Sequence, residues 1–291
     1  MKKLSRKALA LFGCIAFTAL LLNSCKKPTD AGADTQLPAY TVTAPEGLES
    51  TVTIDETAKT ITLAPTAEDQ EYKISGEFEG QIINKTKGTV IILSNAKLKN
   101  TQGKAAIFGE LKTEIKAEKD TVNTITVTGE ADEAYGAGAV QCGIKGDWKK
   151  IEIGGSGSCT ITCENAHGVK AGDVELKGSG TFVFDGGDDS SAINCNVFTV
   201  AEEKTFTATF KDSKNGIKAD KTITIASGTF KFENIKKAAM KTDTSKDDKD
   251  GVIDHYIHLD GGSFTFTNCE GKKTDTEKNC FVKAASVVGE F

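Results

Sequence analysis

Three observations predict an all-β fold, and within that class a right-handed parallel β-helix of about 24 residues per coil. Short alternating runs such as TVTI, TITL, TVIIL, TITV, IEI, VEL, TFVF, TITI and SFTF recur with Gly, Asn, Asp and Ser between them. No stretch sustains the 3.6-residue apolar period of a helix. A tripeptide of one small, one aliphatic and one polar residue returns as Gly143-Ile144-Lys145, Gly168-Val169-Lys170, Ala192-Ile193-Asn194, Gly216-Ile217-Lys218 and Ala239-Met240-Lys241, its central residues 25, 24, 24 and 23 apart. A propeller would need about 40 residues per blade and closing hairpins, whereas the Asn-Gly hairpin dipeptide occurs only at Asn215-Gly216.

In chain order, residues 1–24 read as an export signal, with Lys2, Lys3, Arg6 and Lys7 ahead of the apolar run Ala8 to Leu22. Leu22-Asn23-Ser24-Cys25 has the pattern of a bacterial lipobox, so Cys25 is the expected lipidation site and the chain is expected in the cell envelope, on the outer membrane or cell surface. The plain alternative is an ordinary signal peptide with an incidental Cys. Residues 25–40 are polar, as a tether should be. The β-helix domain follows at 41–291, with N-terminal strands or a cap over 41–80 and coils over 81–291 carrying insertions near 129–142 and 242–262; seven or eight coils fit the mature length. No segment beyond the signal is apolar enough to span a membrane.

Removing residues 1–24 leaves 32 basic against 41 acidic residues and moves the formal net charge from −5 to −9. That argues against nucleic acid as a partner. The only Arg of the chain is Arg6, so an anionic ligand must be met by Lys, by backbone amides or through a cation. The cysteines Cys142, Cys159, Cys163, Cys195, Cys269 and Cys280 allow 15 full disulfide pairings, among which the sequence does not choose.

The repeat sets expected columns. Ala106-Ile107-Phe108 and Phe281-Val282-Lys283 extend the tripeptide column in both directions, 37 before Ile144 and 42 after Met240. Cys159, Phe182, Phe206, Phe230 and Phe264 form a second column, with Ile161, Phe184, Ala208, Phe232 and Phe266 two residues on. Stacked inward, the Phe residues are core rather than sugar-stacking platforms, because they alternate with polar positions that must face outward.

The segment EYKISGEFEGQIINKTKGTVIILSNAKLKNTQGKAAIFGELKTEIKAEKDTVNTITVTG (Glu71 to Gly129), with HGVKAGDVELKGSGTFVF (His167 to Phe184) and NGIKADKTITIASGTF (Asn215 to Phe230), resembles the bacterial carbohydrate-binding β-helix proteins. The family's founding member binds polygalacturonate with calcium and looks like a pectate lyase without being one. The similarity covers roughly residues 70 to 270 and implies calcium-assisted binding of an acidic polysaccharide. Family coils commonly carry an acidic residue just before the Gly-Ile pair, where this chain has His167, Ser191, Asn215 and Ala238, so fewer calcium sites are expected.

Lys145, Lys170, Lys218, Lys241 and Lys283, with Asn194 interrupting, should stack outward beside an acidic column of Asp147, Asp173, Asn196, Asp220 and Asp243. The plain reading is mutual neutralisation; the sharper one is a surface where Lys contacts uronate carboxylates and Asp holds bridging Ca²⁺. Hard ligands are densest in TDTSKDDKDGVID, with Asp248, Asp250 and Asp254, which is not an EF-hand because Lys246 and Ile257 occupy its first and last ligand places. Asp185, Asp188 and Asp189 form a second candidate cluster; a solvated insertion and a simple turn are the respective alternatives. Trp148 is the sole Trp, either a sugar-stacking platform or an exposed cap on the core.

Catalysis has little support: none of the three His has a visible Ser or Cys partner, and no carboxylate pair stands out. The expected function is a non-catalytic, envelope-anchored module that binds an acidic polysaccharide or glycan with calcium. The alternatives are a structural or adhesive lipoprotein with a protein ligand and a calcium-assisted polysaccharide lyase.

Overall fold

The computed structural model describes residues 39–129, 142–146, 148–164, 166–202, 205–242, 255–275, 280–282 and 286–288. At the N-terminal end, β1 (Tyr40–Thr43) pairs antiparallel with β4 (Glu71–Glu79), and β2 (Val52–Asp55) with β3 (Thr60–Leu63). Every other pairing among the described strands is parallel, and the strands sort into three ladders. The first stacks β3, β5 (Gln81–Asn84), β7 (Ile107–Gly109), β10 (Cys142–Gly146), β13 (His167–Lys170), the opening halves of β16 (Ser191–Val200) and β18 (Asn215–Ile225), β20 (Ala238–Thr242) and β23 (Lys272–Asp275). The second runs from the opening halves of β4 and β6 (Thr89–Asn100) through β8 (Thr113–Ala117), β11 (Lys150–Gly155), β14 (Asp173–Leu176) and the closing halves of β16 and β18 to β21 (Tyr256–Leu259) and β24 (Cys280–Val282). The third joins the closing halves of β4 and β6, β9 (Val122–Val127), β12 (Ser158–Cys163), β15 (Thr181–Asp185), β17 (Thr207–Lys211), β19 (Thr229–Glu233), β22 (Ser263–Thr267) and β25 (Ser286–Val288).

Each ladder therefore holds nine described strands. The sequence reading of seven or eight repeats is short because Thr60 to Glu79, assigned there to the cap, supplies a full repeat beneath β5 and β6. Two column assignments also change. Phe281-Val282 does not continue the tripeptide column: it pairs with His258-Leu259 in the second ladder, and Met240 instead faces Thr274. The cause is the position of the insertion, which separates β20 from β21 within one repeat, so the 42-residue interval reaches the wrong strand. In the third ladder Ala208, not Phe206, aligns with Phe182 and Phe230, and Phe210 aligns with Phe184 and Phe232. Phe206 precedes β17 and lays its ring on Phe182, centroids 4.9 Å apart, filling the volume the small Ala208 leaves.

Alternation along each strand sends one set of side chains into a single core, lined by Ile144, Ile193, Ile217 and Met240 from the first ladder and by the Phe stack from the third. Phe184, Phe210, Phe232 and Phe266 stack with successive centroids 5.4, 4.9 and 5.3 Å apart. The corner between second and third ladders needs glycine. Gly178 has φ +87°, and a Cβ there would lie 2.4 Å from the Gly155 carbonyl oxygen of the previous repeat. Cys142, Cys159, Cys163, Cys195 and Cys269 are free thiols, the first four buried.

Candidate functional site: a lysine column beside an exposed tryptophan

The first ladder's inward residues Ile144, Val169, Ile193, Ile217 and Met240 are fully buried, so the two-residue period turns the next position outward in every repeat. The outward column reads Ile83, Phe108, Lys145, Lys170, Asn194, Lys218 and Lys241, each paired in register with the next. Neighbouring rows of a parallel ladder are about 4.8 Å apart. Lys145 holds its ammonium 5.7 Å above the Phe108 ring, a cation–π contact that orders the end of the column. Lys218 Nζ lies 3.7 Å from Asp220 Oδ1.

Trp148 follows β10 at the edge of this column. Its backbone is left-handed, φ +53°, with its N–H donating to the Gly146 carbonyl at 2.8 Å. Gly172 of the next repeat sits so close that a Cβ would come within 2.4 Å of the Trp148 carbonyl oxygen. The main chain is thus clamped while Trp148 stays 71% exposed, as a sugar-stacking platform and an exposed cap would both be.

The acidic side chains are placed less regularly. Asp173 aligns with Lys150 and Val197, while Asn196 and Asp220 fall where the register shifts between Cys195 and Val197. Asp185 is mostly buried, which raises its pKa; it accepts from the Gly187 N–H at 3.2 Å and has Lys211 Nζ at 3.5 Å. Asp188 pairs with Lys236 at 2.8 Å, and Asp189 is exposed. Among the described residues no three acidic, His or Cys side chains converge as a metal site would require. Cys25, Asp147, Asp243, Asp248, Asp250, Asp254 and Lys283 lie outside the described residues.

One constellation escaped the sequence reading. On the outer face of the second ladder Glu114, Glu152 and Glu175 stack in register. Glu152, its side chain 7% exposed, meets Lys112 at 2.7 Å, Lys150 at 3.2 Å and Lys177 at 2.6 Å; Lys177 also reaches Glu114 at 2.9 Å, and Lys150 pairs with Glu175. Burial by itself would raise the Glu152 pKa, but the three ammonium hydrogen bonds outweigh it and carry it down to about 2. The signal was present in TEI, IEI and VEL, three Glu residues each followed by an aliphatic, yet only the register shows that they share a column.

His167 is a further titratable group, half-buried at the start of β13. Its Nδ1 lies 3.0 Å from the Ser191 N–H, and its Nε2 3.1 Å from the Asn194 amide. Desolvation first, then the nearby Lys170 charge, pull its pKa down to about 4, so the imidazole is neutral near pH 7. Cys142 pairs with His167 in register, but burial pushes its thiol up to about 12, so the two do not form an activated nucleophile.

Strands stacked in three ladders of parallel pairings make this a repetitive all-β protein. A family model described as "carbohydrate-binding domain-containing protein" matches residues 50–288, and the chain belongs to that family. A solved structure of a polysaccharide lyase-like protein from C. thermocellum, as a gadolinium derivative, is similar to it with a TM-score of 0.54 and 16% identity, covering 83% of this chain and 91% of that one. No curated protein matches the chain.

Proposed function

We propose that the protein is a non-catalytic carbohydrate-binding lipoprotein, anchored in the cell envelope through Cys25, whose three ladders wind as a right-handed parallel β-helix. Right-handed crossovers are the rule for parallel strands, which supports the hand. The ligand is an acidic polysaccharide lying along Lys145, Lys170, Lys218 and Lys241, with a sugar ring stacked on Trp148. The observation that carries this reading is the strand register, which aligns those lysines in one outward column beside a Trp148 left 71% exposed. Without Arg, each carboxylate is met by a point charge, and solvent-exposed contacts of that kind contribute roughly 0.5 kcal/mol each. Four of them and one aromatic stack of about 1–2 kcal/mol amount to roughly millimolar affinity for a short oligomer. A long polymer gains from repeated engagement of many anchored copies.

Calcium assistance is part of the proposal and rests on the sequence. In the structure Asp185, Asp188 and Asp220 each face a Lys ammonium, so calcium taken up there would compete with these ion pairs.

A second reading, a polysaccharide lyase, is favoured by the name of the structural neighbour. It predicts unsaturated products from polyuronates, which a non-catalytic binder does not make. The test of the binding reading is affinity electrophoresis of the mature chain in gels containing polygalacturonate and other acidic polysaccharides, with calcium and with chelator. Retardation that falls on Trp148→Ala and on Lys145→Ala/Lys170→Ala, and weakens with salt, is the expected result. Absence of retardation across the acidic panel overturns it, and binding to protein ligands that survives chelation would put an adhesive role in its place.

A further inference from the structure

The outer face of the second ladder changes character along the stack. From β11 onward it carries two outward columns, because the residues between them, Ile151, Val174, Phe198, Ile223 and Ile257, are buried. The first column reads Lys150, Asp173, Val197, Thr222 and Tyr256, the second Glu152, Glu175, Thr199, Thr224 and His258, each paired in register with the next. The face is therefore ionic in the repeats of β11 and β14, uncharged in those of β16 and β18, and aromatic at β21. Tyr256 and His258 are both half-buried, and their rings lean on each other with centroids 4.2 Å apart and planes tilted by 38°. At the corner just before them, His255 Nδ1 lies 2.7 Å from the Asp220 carbonyl oxygen, which ties the start of β21 to the preceding repeat. Packing between repeats does not call for rings here, since Thr222 and Thr224 fill the same two positions one repeat earlier.

We propose that the Tyr256–His258 pair is a second sugar-stacking platform, and that with Trp148 it brackets the lysine column, so that the preferred ligand is an acidic chain long enough to reach both. The proposal rests on the reading of the lysine column and Trp148 as a polysaccharide surface. Trp148 leads into β11 in the repeat that carries Lys145, and Tyr256 and His258 stand in the repeat that carries Lys241. The pairings β10 to β13, β16, β18 and β20 make four steps between those two repeats, a span of about 19 Å at about 4.8 Å per step. Lys170 and Lys218 lie in between, with Asn194 leaving one step without a cation. A uronate chain laid along this corner would meet a ring at each end and ammonium groups between them, which suits a polymer whose every unit offers both a C–H face and a carboxylate. Neither outward column holds an aromatic side chain between the platforms, so an oligomer shorter than the span reaches only one of them. Once one end is held, the second contact is intramolecular, and affinity should rise with length where both can be engaged. The mutual ring contact also fixes the pose of Tyr256 and His258, which lowers the entropy lost when a sugar settles on them.

The experiment is a titration of the full mature protein with polygalacturonate and the other acidic polysaccharides of the panel, each as polymer and as size-fractionated oligomers from dimer to decamer. Binding is followed by the fluorescence of Trp148, the sole Trp of the chain, and by affinity electrophoresis. Wild type is compared with Tyr256→Thr/His258→Thr, which restores at both positions the residue of the preceding repeat. The expected result is that wild-type affinity climbs steeply once an oligomer spans about 19 Å, and that the double variant loses this climb and binds the polymer about tenfold more weakly. A melt verifies folding; should the double variant not fold, His258→Thr alone takes its place, with the same loss of length dependence expected. Polymer binding undiminished in the variant, or a loss of the same size at every length, overturns this inference and leaves the lysine-column reading standing. Absence of wild-type binding across the whole acidic panel overturns both.

Discussion

Glu152 is the centre of the ionic lattice on the second ladder, and replacing it with Gln tests whether that lattice holds consecutive repeats together. The substitution keeps the side chain's shape and one acceptor oxygen but removes the charge that Lys112, Lys150 and Lys177 share. The carboxyl moves from the usual 4.5 to about 2, and at about 1.4 kcal/mol per unit this gives a ceiling of about 3 kcal/mol. The three lysines are 28–38% exposed, so screening lowers the expectation to about 2 kcal/mol at pH 7. For a domain of this size that is a fall of about 4–8 °C in Tm. The sign with pH follows from the direction of the shift. A depressed carboxyl contributes fully above the unfolded value and loses its contribution as pH falls from about 4.5 to 2. Wild type and Glu152→Gln should therefore differ at pH 7, converge as pH approaches 2, and lie closer together in high salt. Thermal and urea melts at several pH values measure this. A loss below about 0.5 kcal/mol at pH 7, or one that persists unchanged at pH 2, would refute the reasoning.

His167 titrates in a separate window. Its pKa is lowered to about 4 in the folded chain from 6.5, so the unfolded chain binds the extra proton first and stability should fall by up to about 3 kcal/mol between pH 6.5 and 4. Melts of His167→Gln should lack that slope, and an equal slope in both proteins would assign it to other groups. Gly178→Ala should be among the most damaging single-methyl changes, because its Cβ meets the Gly155 carbonyl at φ +87°. A loss of at least about 2 kcal/mol is expected in denaturant titration, and a neutral result would mean that the stacked corner can open.

Much of this protein is legible from the chain alone. Alternating runs separated by Gly and Asn require strands, and the near-constant interval between Ile144, Val169, Ile193, Ile217 and Met240 requires that those strands repeat and stack. That interval also placed Lys145, Lys170, Lys218 and Lys241 in one column, which the register bears out. Interval counting works while every repeat has the same length, and it fails at an insertion. The segment between Thr242 and Tyr256 interrupts a repeat between its first and second strands, so Phe281-Val282 landed in the wrong ladder. Within a repeat, Phe206 and Phe210 are equally good Phe residues on paper, and only pairing with Phe184 and Phe232 shows which one continues the stack.

What the sequence determined by itself is the local periodicity and the repeat, since both depend on residues near one another in the chain. The tertiary structure decided which strangers in sequence become neighbours. It brought Glu114, Glu152 and Glu175 into one ionic lattice, left Trp148 exposed over a clamped turn, and gathered Ser158, Thr181, Thr207, Thr229 and Ser263 from five repeats into one column. These depend on register and on which way each corner turns, and both are set by side chains packing between repeats rather than by any single repeat's own residues.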